Sequence, residues 1–211
     1  VFAVEGERLR PLSRQNDDWL AEVRLAEVRE IDFPSADGTR IGGFLALPPD
    51  YVPGRRYPTL LWLHGGPVYQ FSNEFDLQWH LFAAHGYVVV APNPRGSSGR
   101  GEAFQRAIEA DWGRLDVQDV LAAVDYAVEQ GIADPERLGV GGWSYGGMLT
   151  NYVIASDTRF KAAVSGAGIA NITAGYGHDQ YVREYEAELG RPWERPDVWL
   201  RVSFPFFHAD R

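Results

Sequence analysis

Residues 136–150 read Glu136-Arg-Leu-Gly-Val-Gly-Gly-Trp-Ser-Tyr-Gly-Gly-Met-Leu-Thr150: a short apolar run, a glycine-rich turn centred on Ser144, and the start of a second apolar run. With the strand-like Leu138 to Val140 before it and the helix-compatible Met148 to Ile154 after it, the stretch predicts a strand, a sharp turn and a helix. That is the nucleophile elbow, in which glycines flank a serine at G-x-S-x-G spacing. Gly142 and Gly146 hold the flanking positions because strand and helix come so close there that a Cβ at either would clash. Ser144 is then expected on a strained tip, its Oγ exposed above the sheet at the positive end of the following helix.

Outward from the elbow, strands and helices alternate. Upstream, Tyr57 to Leu63 reads as a buried strand running into the loop His64-Gly65-Gly66-Pro67, Leu77 to Ala84 as a helix closed by Gly86, and Tyr87 to Ala91 as another buried strand. Pro92 to Gly101 is loop. Asp116 is expected to cap a helix whose apolar residues Val117, Val120, Leu121, Val124 and Val128 share one face. Downstream, Phe160 to Val164 reads as another buried strand. This rhythm predicts an α/β fold: a mostly parallel sheet with helices on both faces and sites at the strands' carboxyl ends.

The flanks differ. Ile31 and Phe33, then Ile41, Gly43, Leu45 and Leu47, alternate with a turn at Ala36-Asp37-Gly38, which predicts a β-hairpin. Residues 1–18 read as the end of a preceding unit, Val1 to Val4 being strand-like, and Trp19 to Leu25 as a short helix or an extended connector. Residues 172–211, aromatic-rich and punctuated by proline, predict an irregular excursion with one short helix near Tyr181 to Leu189.

Composition bounds the function. The 211 residues suffice for a sizeable core, and 45% hydrophobic with 23% charged is ordinary for a globular protein. A net charge of −9 argues against nucleic-acid or anionic-membrane surfaces. The absence of cysteine excludes disulfides, thiolate metal sites and a cysteine nucleophile. No apolar run approaches the roughly 18 residues of a membrane span, and no leader is visible, so the chain is expected in the cytoplasm.

A serine needs a base to take its proton and donors for the oxyanion. The backbone N–H of Tyr145 is one expected donor; the second is the Gly66 amide, with Gly65 as its neighbour, in a loop whose glycines let a carbonyl approach the backbone. The base is harder to find. In this fold the order is Ser, then Asp or Glu, then His, each after a later strand, but after Ser144 only His178 and His208 remain, and neither follows a predicted strand. His64 either shapes the oxyanion loop or merely packs there, His80 and His85 are expected at the surface, and Arg95 either pairs with a carboxylate below the loop or binds substrate. No set of residues shows metal-ligand spacing or a phosphate-binding glycine pattern, so no cofactor is expected.

Several motifs in one order carry a resemblance: His64-Gly65-Gly66-Pro67, Asn93-Pro94-Arg95-Gly96-Ser97, Asp111-Trp112-Gly113, Asp134-Pro135-Glu136-Arg137-Leu138 and Gly142-Trp143-Ser144-Tyr145-Gly146-Gly147. From about Glu30 onward the chain resembles the prolyl oligopeptidase family of serine peptidases, on the acylaminoacyl-peptidase and dipeptidyl-peptidase side. The resemblance implies an α/β-hydrolase catalytic domain over residues 19–211, incomplete at its C-terminal end, and reads residues 1–18 as the remnant of a β-propeller. It implies cleavage of short peptides through an acyl-enzyme on Ser144, with Tyr145 an oxyanion donor and the triad Asp and His not in this chain. An esterase on the same fold and a non-catalytic domain lacking a base are the other readings. With the last strands missing, the Phe160 to Val164 strand would be an exposed apolar edge, so self-association is expected.

Overall fold

The computed structural model describes residues 1–210. A small hairpin, β1 (Phe2–Glu5) and β2 (Arg8–Pro11), precedes a short helix, α1 (Asp17–Glu22). Then follow β3 (Glu27–Pro34), β4 (Arg40–Leu47), β5 (Tyr57–Leu63), α2 (Leu77–Ala84), β6 (Val88–Asn93), α3 (Glu102–Gln105) and α4 (Leu115–Glu129). The chain continues with β7 (Ala133–Trp143), α5 (Tyr145–Ser156), β8 (Phe160–Gly166), α6 (Ile172–Gly175), α7 (Val182–Leu189), α8 (Pro196–Val202) and α9 (Phe204–Phe207). β1 and β2 form a sheet of their own, whereas β3 to β8 form one six-stranded sheet in the order β3-β4-β6-β5-β7-β8. The β3–β4 and β4–β6 pairs are antiparallel, whereas β6, β5, β7 and β8 are parallel to one another.

That order decides where a site can form. From β5 the chain passes through α2 to β6 on one side, and later enters β7 on the other. Strand order therefore reverses at β5, and a crevice opens beyond the carboxyl ends of β5 and β7. The β5–β7 register pairs Leu63 with Gly142, so the His64 loop and the Ser144 turn leave the sheet side by side.

The larger core lies on the face covered by α4, α5 and the C-terminal helices, and takes Leu61 and Leu63 from β5, Val88 and Val90 from β6, and Val120 and Val124 from α4. A smaller one on the opposite face joins Phe44, Ala46, Val89 and Ala91 to Trp79 of α2. Because β5 places alternate residues on the two faces, Tyr57, Thr59, Leu61 and Leu63 are buried while Leu60 and Trp62 are only partly so.

Arg95, just beyond β6, is paired below the loop as its motif suggested. Its Nε and backbone N–H donate to Asp119 Oδ2 at 2.9 and 2.8 Å, and Nη2 donates to Asp119 Oδ1 at 2.6 Å. Nη1 donates to Asp37 Oδ2 at 2.5 Å, and Ser35 Oγ donates to Asp119 Oδ1. One buried guanidinium thus ties the β3–β4 turn, the loop after β6 and α4 together, with Asp119 fully buried beneath it.

Several expectations are corrected. Asp116 is not the cap of α4: it is the helix's second residue, buried, and its carboxylate accepts from the Gly113 and Val117 backbones. The short helix expected near Tyr181 to Leu189 is present as α7, but the rest of the stretch from Ile172 is not irregular: α6, α8 and α9 lie there too, and the four helices bury Ile172, Leu189, Val198, Trp199 and Val202 against the main core. Proline hid α8 and α9 by sitting in the first turn of each, where its missing N–H costs nothing. His80 is half-buried, its Nδ1 accepting from the Ala26 N–H, while His85 is exposed as expected.

Asp119→Ala takes the fully buried carboxylate from a guanidinium left with only the half-exposed Asp37, and is expected to cost on the order of 3 kcal/mol in urea unfolding. β8, expected to be buried, is instead exposed along most of its length, because among the described residues it is an edge strand of the sheet, with Val164 65% exposed. Exposed edges template pairing between chains. Val164→Lys is therefore expected to reduce self-association of the 211-residue chain in sedimentation velocity.

Candidate active site

The elbow is built by backbone contact. A Cβ on Gly146 would stand 2.2 Å from the Leu63 carbonyl oxygen, and one on Gly142 would stand 2.5 Å from the same atom. Only hydrogen fits at either position, so the start of α5 lies directly against the end of β5. To turn from β7 into α5 in so little space, Ser144 takes φ 58° and ψ −122°, a conformation that non-glycine residues rarely hold. Its N–H donates to the Gly166 carbonyl at 2.9 Å, which fastens the tip to the end of β8. The side chain is exposed at the N-terminus of the 12-residue helix α5.

A cleft of about 570 Å³ opens over Ser144, with Gly66, Tyr145, Trp143, Met148, Trp112 and Ile169 among its walls. Gly66 and Tyr145 thus share the cleft with Ser144, and a Cβ on Gly65 would meet Ser144 Cβ at 3.3 Å. Among the described residues, neither the Gly66 nor the Tyr145 N–H has a backbone acceptor. Gly66 adopts φ 122°, open essentially only to glycine.

No histidine lines this cleft among the described residues. His178 is exposed, and His208 stacks on Phe204 and donates through Nδ1 to the Phe204 carbonyl at 2.8 Å. No group of three His, Cys, Asp or Glu is arranged to hold a metal ion among the described residues.

Sequence reading missed the layer that carries Tyr145. The Tyr145 hydroxyl donates to Asp116 Oδ2 at 2.6 Å, both groups being buried, and the Trp112 ring packs edge-on against Tyr145 at 5.9 Å. Trp112 Nε1 donates in turn to Glu188 Oε1 at 2.6 Å, an atom that also accepts from the Ala110 N–H at 3.1 Å. Burial pushes the Asp116 carboxyl up from 3.8 to about 6, against the lowering effect of the Tyr145 hydrogen bond. Burial, with the Asp116 charge, drives the Tyr145 phenol well above 10, so it stays a neutral donor. Burial likewise raises Glu188. The signal for this layer was the Asp111-Trp112-Gly113 motif, whose Gly113 lies so close to Tyr152 that a Cβ would stand 2.2 Å from its ring.

Because the folded Asp116 carboxyl titrates above its unfolded value, the unfolded chain ionises first as pH rises, and stability is lost between about pH 4 and 6. Asp116→Asn removes that titration. Its cost in urea unfolding is expected to be largest near pH 4 and to shrink by on the order of 3 kcal/mol by pH 7.

The prolyl oligopeptidase family matches residues 73–210. The uncharacterized peptidase YuxL of Bacillus subtilis is 38% identical over 79% of this chain and 25% of its own length. Dipeptidyl-peptidase 5 of Porphyromonas gingivalis is 33% identical over 81% of this chain and 25% of its own length. The acylaminoacyl peptidase of Pyrococcus horikoshii superposes on 99% of this chain with a TM-score of 0.89 at 29% identity, and the match covers 34% of that structure. The chain therefore spans about a quarter of the length of these curated relatives. The fold is the α/β-hydrolase fold, a mostly parallel sheet with helices on both faces.

Proposed function

This chain belongs to the prolyl oligopeptidase family of serine peptidases, and from that premise we propose that Ser144 is the nucleophile of a peptidase that cleaves short peptides through an acyl-enzyme. The observation that carries the reading is the convergence on one cleft of an exposed serine at φ 58° and two N–H groups without backbone acceptors, those of Gly66 and Tyr145.

The chemistry follows from the positions. Ser144 Oγ attacks the scissile carbonyl, whose oxygen gains negative charge as the tetrahedral intermediate forms. The Gly66 and Tyr145 amides donate to that oxygen, and the N-terminal end of α5 adds its positive potential. Collapse expels the amine and leaves an ester on Ser144, which water then hydrolyses. The base that takes the serine proton, and the carboxylate that orients it, are assigned to residues outside this stretch, since no histidine lines the cleft among the described residues. Residues 1–18, whose hairpin stands apart from the main sheet, are assigned to a preceding propeller. A peptide is the only partner that this reading requires, and it needs no cofactor.

In the full-length protein, Ser144→Ala is expected to lower kcat on a blocked peptide amide by about 10⁴- to 10⁶-fold with little change in KM. A fluorophosphonate should label wild-type protein at Ser144 and leave the variant unlabelled. An unchanged rate in the variant would sink the assignment.

A further inference from the structure

The walls of the cleft over Ser144 carry a charge pattern that the chemistry above leaves unused. Glu184 and Glu188, one turn apart on the same face of α7, both line the cleft, and Asp179, from the turn before that helix, lines it with them. Among the described residues of the lining there is no lysine, arginine or histidine. Much of the remaining wall is aromatic, from Trp112, Trp143, Tyr145 and Tyr185.

The other acid near the end of α7 is neutralised within the chain. Glu186 has Arg191 at 3.8 Å and accepts from the Tyr176 hydroxyl at 2.5 Å. Glu184 and Glu188 pair with no cation among the described residues. Glu188 is nonetheless fixed in place: Oε1 accepts from Trp112 Nε1 and from the Ala110 N–H, while Oε2 has no partner among the described residues and is not buried. Asp179 is held as well, accepting from the Tyr185 hydroxyl at 2.8 Å and the Tyr181 N–H at 3.0 Å. Glu184 is exposed.

Carboxylates set around one cavity repel each other, and a cation among them relieves both that repulsion and the desolvation that raises the Glu188 carboxyl. An anionic group meets the reverse. A neutral apolar side chain would cover Glu188 Oε2 without giving it a partner. The aromatic walls suit the rest of a basic side chain, since its methylenes pack on the rings and its charged head is attracted to their faces. Position then selects which part of the substrate carries the charge. Glu188 connects to Ser144 through Trp112 and Tyr145, whose rings stand edge-on at 5.9 Å, so the charge has to be carried past two rings from a carbonyl seated on Ser144. Lysine and arginine carry theirs on about three or four methylenes, whereas the α-amine of the same residue stays beside the backbone.

We propose that Glu184 and Glu188 make the cleft selective for a basic side chain on the residue that donates the scissile carbonyl, with Glu188 Oε2 and the Glu184 carboxylate receiving its ammonium or guanidinium. The proposal rests on the reading of Ser144 as the nucleophile and names the substrate class of that same site.

The test uses the full-length protein and peptide amides blocked at the amine, so that the side chain is the only cation, with arginine, its uncharged isostere citrulline, or glutamate before the scissile bond. The kcat/KM for arginine is expected to exceed that for citrulline by about 30- to 300-fold, with glutamate lowest. Glu184→Gln and Glu188→Gln keep the shape of the wall, and the latter keeps an acceptor for Trp112. Each is expected to cut the arginine-over-citrulline ratio by about tenfold, mainly through KM, and Glu184→Lys to raise glutamate relative to arginine. A wild-type ratio within about threefold of one overturns the proposal, as does a ratio that neither Gln variant lowers. It falls equally if turnover requires a free amine whatever the side chain. Labelling by an uncharged fluorophosphonate separates the two levels. If Ser144 is labelled, a flat arginine-over-citrulline ratio removes the selectivity alone; if it is not, the nucleophile reading falls, and this one with it.

Discussion

The carbonyl oxygen of Leu63 occupies the space that a side chain on Gly146 or Gly142 would need. Because both residues are glycine, helix α5 begins directly against the end of β5, and the chain must turn within a single residue. Ser144 absorbs that turn at φ 58°. The strain is held by its surroundings: the Ser144 N–H is fastened to Gly166, and α5 is buried along most of its length. The same contact brings the loop after β5 to the serine, so the elbow and the His64-Gly65-Gly66 loop are two consequences of one close approach.

Beneath this contact the site stands on buried polar groups that link elements far apart in the chain. Asp116 from α4 accepts from Tyr145 of α5, and Glu188 from α7 accepts from Trp112, whose ring packs on Tyr145. Arg95 and Asp119 join the loop after β6 to α4 in the same manner. Such groups hold geometry at a cost in desolvation, visible in the raised Asp116 carboxyl, and they repay it only when every partner is in place. An oxyanion site gains from this rigidity, since donors that are already oriented need no reorganisation as charge develops.

Family membership gives this architecture its context. Residues 73–210 match the prolyl oligopeptidase family, and the superposition on the Pyrococcus horikoshii acylaminoacyl peptidase extends over 99% of the chain. These matches cover only a quarter to a third of the relatives, and the family match contains the elbow.

The sequence alone determined the alternation of strands and helices from Tyr57 to Val164, the elbow glycines and the position of Ser144. These depend on local signals: apolar periodicity, turn residues and glycines at fixed spacing. It did not determine the part played by Asp116, which reads as a helix cap because an acid before an apolar period looks the same whether it meets water or a tyrosine. Nor did it reveal α6, α8 and α9; the prolines of α8 and α9 sit where helices tolerate them. His64 shows the division most plainly. A histidine before two glycines reads alike whether it shapes its loop or merely packs there, and only the fold brings the Ser97 hydroxyl to one of its ring nitrogens. Local sequence fixes what a segment can become. The partners of a buried polar group come from segments distant in the chain, and only tertiary structure decides them.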